Sequence, residues 1–417
     1  MNNQRSVSKS TLTRRLFLRH SLAGAVATGL GSQLILRNAS AAQSGKRVLV
    51  CLFQRGAVDG LNMVVPFGDP NYGNSRPDIA IAAPSQADGA LNLDGFFGLH
   101  PAMESLLPAW QDKSLAIIHA CGSPDPTRSH FDAQDYMETG TPGVKGSPDG
   151  WLNRHLQSTA GDSDLRGIAV TSTTPRILAG EAASYAARTL TSLDLGRGAD
   201  GTLVRQAIDE MYAGRDDLLG TTVGETLANY EIFTELGAQG YAPQNGAAYP
   251  NSSLGASLQE IAQVMRADIG LEVAFVETGG WDTHSRQGGA TGNLANLLGD
   301  VADSLGAFYQ DLGNDMDEVC ILTMSEFGRT VAQNGSGGTD HGRGTAMMAI
   351  GGTVDGGQVL ANWPGLASSD LASGRDLAVT TDFRDLCGEI VRDHLGNPAL
   401  DTVFPDHNFR APGIIRS

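Results

Sequence analysis

Short, almost uninterrupted apolar runs recur along this chain, and each gives way to a polar or glycine-rich turn. The first is Val48-Leu49-Val50-Cys51-Leu52-Phe53, within a strand expected over Arg47–Phe53. Ser114–His119, Gly167–Thr171, Leu271–Glu277 and Val319–Met324 repeat the pattern. A strand with one face in water alternates apolar and polar residues, so continuous runs point to parallel strands covered on both faces. Helical spacings lie between them. Leu254, Leu258, Ile261 and Met265 form one stripe; Leu294, Leu297, Leu298, Val301, Leu305, Phe308 and Leu312 form a longer one. Stripes of this kind are core-packing faces. Pro101–Trp110 and Ser129–Thr139 also read as helices. Helix and strand in alternation predict an α/β fold with a doubly wound, mostly parallel sheet.

Residues 181–250 break the rhythm. They are helical and acidic at first, with Asp209, Glu210, Asp216 and Asp217, and turn Gly/Ala/Asn/Pro-rich from Gly237 to Ser253. This reads as a helical insertion on the sheet, leaving 42–417 as a single domain. Gly335–Gly344 and Gly351–Gly357 read as ordered loops between strands.

The N-terminus carries an address. Thr13-Arg14-Arg15-Leu16-Phe17-Leu18-Arg19, the apolar run Ser21–Leu36 and the small residues Ala39-Ser40-Ala41 make residues 1–41 a twin-arginine signal peptide. That route moves folded proteins, often loaded with a metal or cofactor. The expected partner in export is the twin-arginine translocase, and the expected location is the periplasm or outside the cell. The leader holds six Lys and Arg and no acidic residue, so the mature chain keeps 23 basic against 46 acidic residues. Its formal charge moves from −17 to −23, which argues against nucleic acid as a partner. No second apolar run approaches the ~20 residues of a membrane span, so the cleaved protein is not expected to be an integral membrane protein. Cys51, Cys121, Cys320 and Cys387 sit in or beside apolar runs and helical patterns, and read as core thiols. The chain holds no Cys-x-x-Cys, haem or flavin signature, which leaves an exported redox protein without support.

Polar residues gather where such strands end, the usual place for sites in open α/β sheets. After the first strand, Gln54–Asn62 offers Asp59 as a metal ligand or helix cap, and Arg55 as an anion holder. At a helix start, Thr127-Arg128-Ser129-His130-Phe131-Asp132 offers Ser129 as a nucleophile in the positive field of the helix, or as a simple N-cap. After the Leu271 strand, Asp282 and His284 lie two apart, so in an extended segment they face one ion together. Carboxylate plus imidazole suits zinc, manganese or iron. After the Val319 strand come Ser325-Glu326-Phe327-Gly328-Arg329-Thr330 and then Thr339-Asp340-His341-Gly342. Three of the nine histidines, His130, His284 and His341, thus stand beside Asp at strand ends.

The order of these motifs resembles the exported bacterial family catalogued as domain of unknown function 1501. The resemblance runs from the twin-arginine leader through Arg55-Gly56-Ala57-Val58-Asp59-Gly60-Leu61-Asn62, Ser129–Asp135, Gly279–His284, Ser325–Thr330 and Asp340-His341-Gly342. It extends to Trp363-Pro364-Gly365-Leu366 and Thr380–Arg384. That family is similar to the alkaline phosphatase and sulfatase superfamily. The likeness implies an alkaline-phosphatase-like fold closed by Leu377–Gly396. It also implies a metal ligand at Asp59, a nucleophile at Ser129 on a helix ending in Thr139-Gly140, and further ligands at Asp282, His284, Asp340 and His341. Two alternatives stay open. Either Glu326 stands in for the superfamily's Asp beside a lone His341, or Asp340-His341 is the displaced pair; and His130 competes with Ser129 for the nucleophile's place. The implied activity is a metal-dependent hydrolase or transferase of phosphate or sulfate esters. It would use one or two divalent ions, zinc, manganese or calcium among them, with Arg55 or Arg329 on the anionic group. The alternative is a non-catalytic periplasmic binding protein that takes an envelope polymer.

Overall fold

The computed structural model describes residues 47–416 apart from 162, 164, 190–198, 213 and 216. The leader at 1–41 and Asp216 of the acidic stretch lie outside the described residues. Arg47–Ser417 forms one compact unit.

Among the described residues the strands are, in chain order, β1 (Val48–Gln54), β2 (Val64–Val65), β3 (Leu91–Asn92), β4 (Gly98–Leu99), β5 (Leu115–Gly122), β6 (Gly167–Ala169), β7 (Tyr185–Ala186), β8 (Val273–Thr278), β9 (Val319–Met324), β10 (Thr345–Gly351), β11 (Gln358–Leu360) and β12 (Thr381–Asp382). The main sheet runs β11-β5-β10-β9-β1-β8-β6-β7, with β12 also on β5. β2, β3 and β4 form a small separate sheet. In the main sheet β10 alone is antiparallel to its neighbours, β5 and β9. The helices of seven residues or more are α1 (His130–Thr139), α2 (Trp151–Ser158), α3 (Ala199–Tyr212), α4 (Leu218–Gln239), α5 (Ser253–Arg266), α6 (Asn293–Leu312) and α7 (Phe383–Glu389).

Strand β1 explains the layering. All of its residues are buried, and they divide between the two faces. Val48, Val50 and Leu52 pack with Leu254 and Leu258 of α5 and Leu298, Val301 and Leu305 of α6. Leu49, Cys51 and Phe53 pack with Trp151 and Leu152 of α2 and Phe383 and Leu386 of α7. Helices on both faces make the fold a doubly wound, mostly parallel α/β sheet. Each large side chain buried this way contributes roughly 1.5–3 kcal/mol.

Two elements depart from the expected plan. The single helix expected over Pro101–Trp110 is a 3-10 turn, Pro101–Leu106, followed by a short helix, Leu107–Gln111. Pro108 has no N–H to carry a regular helix through that point. Strand β10 occupies a stretch with no strand expected, and its residues Thr345–Gly351 are all buried. Between β7 and β8, α3 and α4 stand where the insertion is expected, and Phe233 of α4 reaches the core of the α5–α6 face. The chain after α4 is tied down by Asp311 of α6, which accepts from the Tyr241 and Tyr249 hydroxyls and from Gln244 N at 2.9, 2.8 and 2.7 Å. No helix among the described residues is long and apolar enough to cross a membrane.

The register sets the site. β1, β8 and β9 are parallel and end together, with Gln54 beside Thr278 and Phe53 beside Met324. The loops that follow all three therefore emerge on one edge.

Buried titrating groups give two expectations. All four cysteines are free and buried, and burial pushes their thiols up, Cys320 to about 12. Iodoacetamide should label none of them in the native protein and all four in denaturant; fast native labelling of any one would show its packing to be wrong. Burial also lowers the imidazoles of His119, His155 and His394 to about 4. An unfolded chain takes up protons on these groups near ~6.5 while the folded chain does not. Stability should therefore fall as pH drops from about 6.5 towards 4. Urea titrations at several pH values measure this, and a flat profile would contradict it.

Candidate metal centre

Four side chains from three parts of the chain meet on this edge. Asp282 and His284 lie in the segment after β8, whose alternation turns Thr283 inward and its two neighbours outward. His341 comes from the Gly-rich loop after β9, and His130 opens α1. Asp282 Oδ1 lies 3.1 Å from His284 Nε2, 3.1 Å from His341 Nε2 and 3.5 Å from His130 Nε2. The Nε2 atoms of His284 and His341 are 3.0 Å apart. A tetrahedral ion with metal–nitrogen bonds of about 2.0–2.1 Å holds its ligand atoms about 3.3 Å apart. His130, Asp282 and His341 present ligand atoms all within 4.8 Å of one another, a group that could hold an ion, with His284 Nε2 beside Asp282 and His341.

The other ring nitrogens settle what those Nε2 atoms are. His130 Nδ1 bonds Glu326 Oε1 at 2.8 Å, His284 Nδ1 bonds Asp340 Oδ1 at 3.0 Å, and His341 Nδ1 bonds the Arg128 carbonyl at 2.9 Å. Each partner only accepts, so in a neutral imidazole the proton sits on Nδ1 and the lone pair on Nε2. With all three rings neutral, three lone pairs and a carboxylate oxygen converge, with Arg329 Nη2 donating to Asp282 Oδ1 at 2.7 Å. His130 Nε2 is buried with no hydrogen-bond partner. Converging acceptors of this kind repel one another unless a cation lies between them.

The loops cannot easily shift. Gly56, at φ +117°, passes Asp282 so closely that a Cβ would lie 2.8 Å from its backbone nitrogen. Gly338 crosses Thr283-His284 with room for no side chain, a Cβ there lying 2.4 Å from the Thr283 carbonyl oxygen. Arg329 is buried beneath. Its guanidinium donates to the carbonyls of Ala57, Thr339, Gly56 and Trp281 as well as to Asp282.

Charge in the site follows these contacts. Burial works to raise the Asp282 carboxyl, but the Arg329 guanidinium outweighs it and holds it below the usual range. Burial also works against the Glu326 carboxylate, yet hydrogen bonds from His130 and Gln134 hold its pKa down. The Glu326 contact in turn raises His130, and the His284 contact lowers Asp340. Burial lowers His341 and favours its neutral form, the form in which imidazole binds metals.

The remaining candidates lie around this centre. Glu326 is buried and also accepts from Gly56 N and Gln134 Nε2. Asp340 accepts from Asn334 Nδ2 as well as from His284. Both carboxylates touch the back of a histidine. Asp59 lies deeper, with Oδ2 held by Arg76 Nη1 and Gln287 Nε2, each at 2.6 Å. Ser129 is the N-cap of α1, its hydroxyl accepting from Asp132 N at 3.4 Å, and among the described residues no hydrogen bond joins it to the four. Arg55 is held by Glu277 and Glu138 at 2.5 and 2.8 Å and donates to Gln134. Arg76, Gln134, Gln287 and Asn334 carry no signature in the sequence; their partners are far along the chain or set by loop shape.

The model of the family described as "Protein of unknown function (DUF1501)" matches residues 46–396. No curated protein matches the sequence. Among solved structures, a sulfatase from Pseudoalteromonas sp. is 13% identical with a TM-score of 0.37, covering 92% of this chain and 75% of its own. The alkaline phosphatase of the Antarctic bacterium TAB5 is 11% identical with a TM-score of 0.31, covering 74% of this chain and 92% of its own. TM-scores this low establish neither a shared mechanism nor a shared site.

Arg329 is the group whose loss these contacts make most damaging. Lysine keeps the charge but not the planar fork, so Arg329→Lys should leave several buried carbonyls unpaired. A loss of about 3 kcal/mol in unfolding free energy is expected in urea titration. A variant as stable as the parent would show that the guanidinium is not needed to hold the loops.

Proposed function

The chain belongs to the DUF1501 family, and on that footing we propose that it is a metal-dependent hydrolase of phosphate or sulfate esters. His130, Asp282, His284 and His341 would hold a single divalent ion. The observation that carries this reading is the convergence of three imidazole Nε2 atoms on one carboxylate oxygen, each ring anchored from behind by an acceptor. Anchoring of that kind is the usual support of metal-binding histidines. Three imidazoles and one carboxylate favour zinc, iron or manganese over calcium, which takes oxygen ligands. A single ion is the reading because Asp59, with Oδ2 held by Arg76 and Gln287 and Oδ1 buried without a partner, belongs to no candidate metal group among the described residues.

A divalent ion in this place would act as a Lewis acid on an ester oxygen and supply a nucleophile from water near neutral pH. The chain's own residues do the rest. Arg329 holds Asp282, while Glu326 and Asp340 aim His130 and His284. Arg343, two residues after His341, donates to the Pro124 carbonyl at 3.0 Å. Arg375 donates to the His341 carbonyl. Arg329, which donates to Asp282, is the guanidinium at the centre, and a cation there in an acidic chain favours an anionic substrate. In this reading the twin-arginine leader carries the protein out of the cytoplasm folded and loaded.

A non-catalytic binding protein is the second reading. It is favoured by the Arg329 hydrogen bond, which competes with an ion for Asp282 Oδ1, and by the open position of Asp282 and His284, both 45% exposed. Elemental mass spectrometry on the exported protein separates the readings when joined to assays on 4-nitrophenyl phosphate and sulfate. The hydrolase should carry about one equivalent of metal and lose both metal and turnover in Asp282→Ala and His341→Ala. Metal without hydrolysis of either ester would favour the binding protein. No metal in the wild type would remove the basis of the hydrolase and leave the binding protein as the better reading.

A further inference from the structure

We infer that Gln287 is the positioning residue of this centre, clamping both ligand-bearing loops through one amide oxygen. The inference rests on the reading that the four side chains hold a metal. Gln287 is fully buried, and its Oε1 accepts from two hydroxyls, Thr283 Oγ1 at 2.8 Å and Thr339 Oγ1 at 2.7 Å. Thr283 lies between Asp282 and His284, and Thr339 comes just before Asp340-His341. In an extended segment, a side chain pinned inward fixes the outward aim of its two neighbours. The bond to Thr283 therefore aims Asp282 and His284 together. The bond to Thr339 sets where the second loop leaves the core to present His341.

The amide can do this in only one orientation, and Asp59 selects it. Asp59 Oδ2 accepts from Gln287 Nε2 at 2.6 Å, and a carboxylate only accepts, so the NH2 side must face Asp59 and the oxygen must face the threonines. Asp59 is itself fixed by Arg76, whose guanidinium donates to it and to Asn62 Oδ1, each at 2.6 Å, and to the carbonyls of Val331 and Thr330. Arg76, Asp59, Gln287 and the two threonines are all buried. The chain of bonds runs from a buried guanidinium to the ligand loops without touching a ligand side chain. Asp59 thus reaches the centre through Gln287.

The test uses Thr283→Val, Thr339→Val, their double variant and Gln287→Met in the full-length protein. Affinities for Zn2+ and Mn2+ are measured against a competing chelator, beside the melting temperature of the metal-free protein. Valine keeps the threonine shape and removes only the hydroxyl, so the threonine variants remain informative even where Gln287→Met fails to fold. Each single threonine variant should bind metal about ten- to hundredfold more weakly. The double variant should fall short of the product of the two, because both hydroxyls act through one oxygen. A merely structural role would lower the melting temperature and leave metal affinity within about twofold of wild type, and that result overturns the inference. If the wild type binds metal and Asp282→Ala does not, while all of these variants bind like the wild type, only the positioning role fails. If the wild type binds neither ion, the metal reading fails with it.

Discussion

The loop edge of this molecule hangs on one buried guanidinium. Arg329 follows β9, reaches the carbonyls of Gly56 and Ala57 after β1 and of Trp281 after β8, and also takes Thr339 of the Gly-rich loop and the Asp282 carboxylate. Strand ends leave carbonyls without ladder partners, and buried ones need a donor from elsewhere. A single planar fork with several N–H groups meets that need for loops far apart in sequence. Arg76 does the same one layer down, for Asp59, Asn62 and the carbonyls of Thr330 and Val331. Two desolvated cations under one edge also lower the electrostatic cost of holding the Asp59 and Asp282 carboxylates above them.

How much of this could be read from the sequence depends on how local each cause is. Burial on both faces writes itself into a strand as a continuous apolar run, so β1, β5, β8 and β9 were legible, and β9 has the expected bounds of Val319–Met324. β10 was not. Its Thr-Ala-Met-Met-Ala-Ile-Gly sequence has little β-branching and sits between two glycine-rich stretches. The partners that make it a strand are β5 and β9, both distant in sequence. The pairing of Asp282 with His284 was legible because it follows from the two-residue period of extended chain. What each carboxylate faces was not. Glu326 meets a histidine 196 residues away, and Asp59 meets an arginine 17 residues on, across a loop whose shape no spacing rule gives. Gln287 had no signal at all, since a glutamine beside glycines in a polar loop looks like solvent-exposed chain.

The candidate centre also belongs to the whole fold rather than to any segment. His130 follows β5, Asp282 and His284 follow β8, and His341 follows β9, so the four donors meet only when these strands are registered in one sheet. An ion bound there would add its binding free energy to the folded state alone.

The four cysteines give the sheet a different kind of consequence. Cys51, Cys121, Cys320 and Cys387 all pack into the core on the face covered by α2 and α7, each unpaired and sealed from solvent. In an unfolded chain the same four thiols could join in three different pairings, none of which the folded protein contains. Oxidation before folding would thus divert the chain into covalent forms that cannot close this core. Oxidation after folding would find no thiolate to attack. The packing of one sheet face therefore sets an order of events: the chain must finish folding in reducing surroundings before it meets an oxidant, whatever route it then takes.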